Sequence, residues 1–208
     1  VALAAMLAAC GGESSSDSNE AAGTYDVRVT HASFPTEQRL GQTSLLQLGV
    51  RNTGEKTVPM LTVTVSVAGK EGQASLLPFG ISDPQPGLAQ PDRPVWVLAQ
   101  TYPRLVGSSD PGGTSTSNSK TFAFGPLKPG ETTEAIWKLS AVKAGKFTLL
   151  YDVGAGLSNE VKAQTDGGVS PGGSFATEIT AALPDTEVTD SGEVVEKATQ
   201  RQRATPGE

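Results

Sequence analysis

The sequence predicts an all-β domain, a sandwich of antiparallel strands with one face of each sheet in water. Three observations predict it. Apolar residues recur at every second position in several separate runs, the period of a half-buried strand. The runs are punctuated by turn formers, with Gly 24 and Pro 14 in 208 residues and only 5% aromatics. No stretch carries a convincing amphipathic helical period, so successive strands must cover one another.

Tyr25, Val27 and Val29 alternate with Asp26, Arg28 and Thr30 to make the first strand. Leu46, Leu48 and Val50 share a face with Asn52, and Asn52 to Lys56 then forms a polar turn. Leu61, Val63, Val65 and Val67 alternate with Thr62, Thr64 and Ser66. Ala135, Trp137, Leu139 and Ala141 repeat the pattern, with Trp137 placed in the core between Glu134 and Lys138. Phe147, Leu149, Tyr151, Val153, Ala155 and Leu157 follow, and Phe175 and Ile179 end the series. The sandwich is expected over residues 24–183, with an inserted segment at 77–120 holding a Pro-rich loop, the strand-like Val95 to Ala99 and a Gly/Ser/Thr run. Residues 184–208 are polar and read as a loose tail, with a short surface helix over Val188 to Arg203 as the alternative.

The N-terminus predicts location. Val1 to Ala9 is apolar but too short to cross a bilayer, and a chain starting at Val1 fits one that begins inside a longer precursor. Leu7-Ala8-Ala9-Cys10 matches the bacterial lipobox, in which small side chains admit the signal peptidase and the cysteine sulfur takes a diacylglycerol. Residues 1–10 are therefore read as a signal-peptide remnant ending in the lipidated Cys10. Residues 11–23 are read as a flexible tether, with a coil reach on the order of 20 Å. The expected protein is extracytoplasmic and membrane-held through lipid.

Composition excludes several chemistries. A net charge of −6 disfavours nucleic acid and anionic lipid as direct partners. Cys10 is the only cysteine, so no disulfide or thiolate metal site forms within the chain. Gly168-Val169-Ser170-Pro171-Gly172 matches the G-x-S-x-G nucleophile elbow in letters. That elbow needs a strand before the serine and a helix after it, and here Gly pairs flank the match, so it is a loop. His31, the single histidine, shares parity with Val29 and has no nucleophile or carboxylate at motif distance. Asp83, Asp92 and Asp110 lack calcium-loop spacing and read as turn residues. No cofactor is implied, and the chain is not expected to be an enzyme.

Leu48 to Gly54 (LGVRNTG), followed by Val58 to Val65, resembles the early strands of bacterial CARDB-type immunoglobulin-like domains. Leu127-Lys128-Pro129-Gly130-Glu131 is similar to their L-x-P-G-E turn, and Gly145-Lys146-Phe147 to the start of their penultimate strand. The resemblance covers Thr24 to about Ala182, also fits lipid-anchored actinobacterial proteins, and implies an immunoglobulin-like sandwich. Gly54, Gly130 and Gly145 are expected at positive φ. Phe147 falls where many such sandwiches place a corner tyrosine.

The remaining candidates for function are Trp96, Tyr102 and Arg104, which lie in the insertion beside Pro94 and Pro103. Exposed together, they would form a platform for a peptide or sugar; otherwise Trp96 plugs one end of the sandwich. The expectation is a non-enzymatic interaction or structural module whose partner is an envelope protein or a glycan. The alternative is an accessory protein that binds a metal or small ligand for a transporter or oxidase.

Overall fold

The computed structural model describes residues 21–68, 79–81, 94–108, 114–115, 121–182, 186–192 and 194–196. Cys10, residues 11–20 of the tether, Asp83, Asp92 and Asp110 lie outside the described residues.

Fifteen strands and no helix occur among the described residues. They are β1 (Gly23–Ser33), β2 (Glu37–Arg39), β3 (Thr43–Asn52), β4 (Thr62–Val67) and β5 (Phe79–Ile81). Next come β6 (Trp96–Leu98), β7 (Arg104–Leu105), β8 (Thr114–Ser115), β9 (Thr121–Ala123) and β10 (Thr132–Ala141). The last are β11 (Gly145–Gly154), β12 (Val161–Gln164), β13 (Gly172–Thr180), β14 (Thr186–Val188) and β15 (Val194–Glu196).

One sheet runs β12-β1-β3-β10-β6-β5, with β7 also paired to β10; the other runs β2-β13-β11-β4-β9-β8. Strands β1, β3, β10 and β6 are antiparallel neighbours, and so are β4, β11 and β13. In chain order these occupy the places of strands A, B, E, D and C, F, G, which is the immunoglobulin-like arrangement. Strand β2 leaves the first sheet after β1 and pairs parallel with β13, tying the two sheets together. The segment at 77–120 is therefore not only loop, because its described parts supply β5 to β8 to both sheets.

The core lies between the sheets, where the inward half of each alternating run meets. Leu46, Leu48 and Val50 face Val63, Val65, Leu149 and Val153, all buried. Trp137 is fully buried as expected, with Phe122 and Phe124 edge-on at 5.9 and 5.6 Å. Phe147 is half-buried and meets Trp96 edge-on at 6.1 Å.

The two turn motifs of the resemblance lock together through Asn52. Its Nδ2 donates to the carbonyls of Lys56 and Leu127, each at 2.8 Å, and its Oδ1 accepts from the Gly54 amide at 3.0 Å. Gly130 turns at φ 75° and its amide donates to the Asn52 carbonyl at 3.0 Å. Gly54 does not take positive φ, contrary to expectation; its turn is closed by Asn52 instead.

Two further expectations change. Residues 186–188 and 194–196 form a hairpin rather than a helix, since β-branched Val188 pairs with Val194 across a turn at Gly192. His31 does not continue the inward parity of Val29. The register slips between them, and the bulge turns His31 to the surface. Gly49 makes the bulge possible, because a Cβ there would lie 2.8 Å from Thr30 Oγ1 and 3.2 Å from His31 Cβ.

Candidate interaction surface

Trp96, Tyr102 and Arg104 do not form one platform. Trp96 is in β6 with 0% of its surface exposed, packed edge-on against Phe34 at 5.4 Å. Its indole N–H donates to Gln38 Oε1 at 2.9 Å, across the sandwich in β2. A side chain so placed offers nothing to a partner, so Trp96 belongs to the core.

Tyr102 and Arg104 do come together. After β6 the chain turns back through Tyr102, whose amide donates to the Ala99 carbonyl at 3.0 Å, and rejoins β10 as β7. The Tyr102 ring is half-buried against the core, and the Arg104 guanidinium sits 4.7 Å from its centroid. Arg104 stands opposite Ile136, and Ile136 opposite Gln47, so one row crosses three strands. In the next row Lys138 stands opposite Leu45. Strand alternation puts Val106 on the same side as Arg104.

This outward face combines two properties. Leu45 is 41% exposed and Val106 55%, so it is partly apolar. On a chain of net charge −6 it also carries Arg51, Arg104 and Lys138, with Glu134 as the acid among them. Leu45 and Val106 were not singled out in the sequence, although Ser44-Leu45-Leu46 signals it. Ser44 takes the inward, buried position, which sends Leu45 outward.

The catalytic candidates stay apart. Residues 165–169 form a tight turn, in which the Gly168 amide donates to the Thr165 carbonyl and the Thr165 amide to the Val169 carbonyl, both at 2.8 Å. Ser170 is exposed and the chain then enters β13, so the elbow has no helix behind it. His31 makes no hydrogen bond to a serine or carboxylate among the described residues. No group of three or more His, Cys, Asp or Glu residues is placed to hold a metal among the described residues.

Among the described residues two ionisable groups are displaced from their ordinary range, both for structural reasons. Hydrogen bonds from Arg28 and then Thr53, with the Arg28 charge, hold the Asp166 carboxyl below the usual aspartate value. Burial pushes the Tyr151 phenol up. Arg28–Asp166, and Gln164 Nε2 donating to Asp26 Oδ1 at 2.7 Å, pin the β12–β13 turn and β12 to β1.

No family model and no curated protein matches the sequence. Among solved structures, the chain is similar to the CARDB domain of the PF1109 protein from Pyrococcus furiosus, described in complex with di-metal ions. Identity is 13% and the TM-score 0.43, over 76% of this chain and 96% of that one. It is similar to native alpha-2-macroglobulin from Escherichia coli from domain MG7 to the C-terminus, at 16% identity and TM-score 0.41. That match covers 81% of this chain and 21% of that one. The ASH / PapD-like domain of human CEP192 matches at 12% identity and TM-score 0.37, over 89% and 100% of the two chains. At this distance the strand order described above is what assigns the fold, and none of these likenesses carries a ligand across.

Proposed function

We propose that the protein is a non-enzymatic, lipid-anchored immunoglobulin-like module of the cell envelope. It is held by a diacylglyceryl group on Cys10 and recognises an acidic envelope protein through the face around Arg104. The observation that carries this reading is the Arg104 guanidinium stacked on Tyr102 at 4.7 Å, on the cationic and partly apolar side of an acidic chain. Arginine and tyrosine supply binding energy at protein interfaces. A stacked guanidinium is already ordered, so less side-chain freedom is lost when a carboxylate docks. Leu45, Ile136 and Val106 add apolar contact around it.

The test joins both halves of the proposal in the native cell. A photo-crosslinking residue at Val106 is expected to trap one discrete envelope protein, and Arg104→Glu to abolish the adduct. Adducts with lipid alone, or an adduct unchanged by Arg104→Glu, would overturn the recognition half. Intact-mass analysis of the native protein is expected to show the lipid thioether at Cys10, and a free thiol there would overturn the anchor.

A further inference from the structure

A second surface lies where the segment joining β11 to β13 borders the outward side of β4, β9 and β11. The cleft between them encloses about 690 Å3, within the ordinary range for small-ligand sites. Its floor follows from strand alternation. Val63, Val65, Phe122 and Val153 turn inward to the core, which leaves Thr62, Thr64, Thr121 and Asp152 facing out. The register aligns Asp152, Thr64 and Thr121 as one polar row across three strands, with the two threonine hydroxyls 2.9 Å apart. The next row has Gly154 opposite Thr62, where a Cβ would collide with Thr62 Oγ1, and that hydroxyl donates to the Gly156 carbonyl at 3.3 Å. The rim carries Asn159, Lys162, Gln164 and Ser170.

We infer that this cleft is a binding site for a neutral saccharide. The side chains of Asp152, Asn159, Lys162 and Ser170 line it without a hydrogen bond or ion pair among the described residues, so both donors and acceptors are available. One carboxylate and one ammonium balance each other. A phosphate would meet Asp152 at the floor, and a metal ion would find a single carboxylate with Lys162 at the rim. Hydroxyl groups that both donate and accept match the hydroxyls of a sugar. The site is separate from the Arg104 face, so either assignment stands without the other.

The test titrates the full 208-residue chain, isotopically labelled, with maltotriose and chitotriose while amide resonances are followed by NMR. Saturable shifts are expected at Thr64, Thr121, Asp152 and Lys162 for at least one of the two, with a dissociation constant of about 1 mM or tighter. Asp152→Ala should weaken binding about tenfold, the loss of one charge-assisted hydrogen bond, while Glu37→Gln, on the far edge strand of the same sheet, leaves it unchanged. Thr121→Val, whose remaining spectrum reports the fold, should weaken it as well. The inference is overturned if neither sugar moves these amides, if both cleft variants bind as the parent does, or if inorganic phosphate or glycine produces the shifts in their place.

Discussion

The indole N–H of Trp96 and the amide oxygen of Gln38 meet at 2.9 Å inside the sandwich, joining β6 of one sheet to β2 of the other. Both side chains are essentially inaccessible. Gln38 Nε2 reaches the Pro35 carbonyl at 3.4 Å, and Thr177 Oγ1 donates to the same carbonyl at 3.1 Å. The short β2 is therefore held by a buried polar link to a tryptophan on the opposite sheet as well as by its ladder with β13.

Removing one side of that link should cost more than removing both. Gln38→Leu leaves the Trp96 N–H buried without an acceptor, and is expected to destabilise by about 1–3 kcal/mol. Trp96→Phe in the Gln38→Leu background removes the stranded donor, so the double variant should lose less than the two single losses added together. Urea denaturation of the four proteins measures the coupling. Strict additivity would show that the bond contributes nothing beyond packing.

Asn52 tests the turn motif in the same way. Its three hydrogen bonds join the β3–β4 turn to Leu127 at a position with 0% exposure, so Asn52→Ala should destabilise by about 2–4 kcal/mol. Asn52→Asp adds a sign. Beside two carbonyls and out of water, a carboxyl would keep its proton longer in the folded chain than in the unfolded one. The folded state then holds more protons, and the variant should lose stability as pH rises from about 4 toward 7. Denaturation midpoints for Asn52→Asp and Asn52→Ala across that range check it. Parallel pH profiles for the two variants would refute the buried carboxyl.

How far the fold could be read in advance follows from these residues. Strands β3, β4, β10 and β11 were legible because their alternating apolar sides make the core. The Asn52 turn was legible because Gly54 and Lys56 lie at fixed local spacing, although its third partner, Leu127, is 75 residues away. Strand β2 was not, since Glu37, Gln38 and Arg39 show no apolar side, and Gln38 is buried only because Trp96, 58 residues later, supplies its partner. The Pro-rich surroundings of Trp96 left open whether it joins an exposed platform or plugs the sandwich, and the pairing of β6 with β10 places it inside. Tyr102 and Arg104 were visible as neighbours two residues apart. The row of Asp152, Thr64 and Thr121 was not, because it depends on three strands in register and on a distant segment that borders them.

The Arg28–Asp166 contact makes a prediction about acid. Arg28 and Thr53 hold Asp166 ionised below the usual aspartate range in the folded chain, whereas the unfolded chain leaves it at its ordinary value. As pH falls, the unfolded state takes up the proton first. The contribution is therefore fully present above the ordinary aspartate pKa and is lost progressively as pH drops through the depressed folded value, from about pH 5 downward. Both side chains are exposed, so screening keeps the effect on stability small and added salt should shrink it further. The sensitive measurement is a carboxyl-carbon NMR titration of Asp166 itself. Its midpoint should lie below that of an ordinary aspartate and move back up in Arg28→Ala, with a smaller upward move in Thr53→Val. A midpoint at the ordinary value, or one indifferent to Arg28→Ala, would mean that the β12–β13 turn is not tied to β1 in solution.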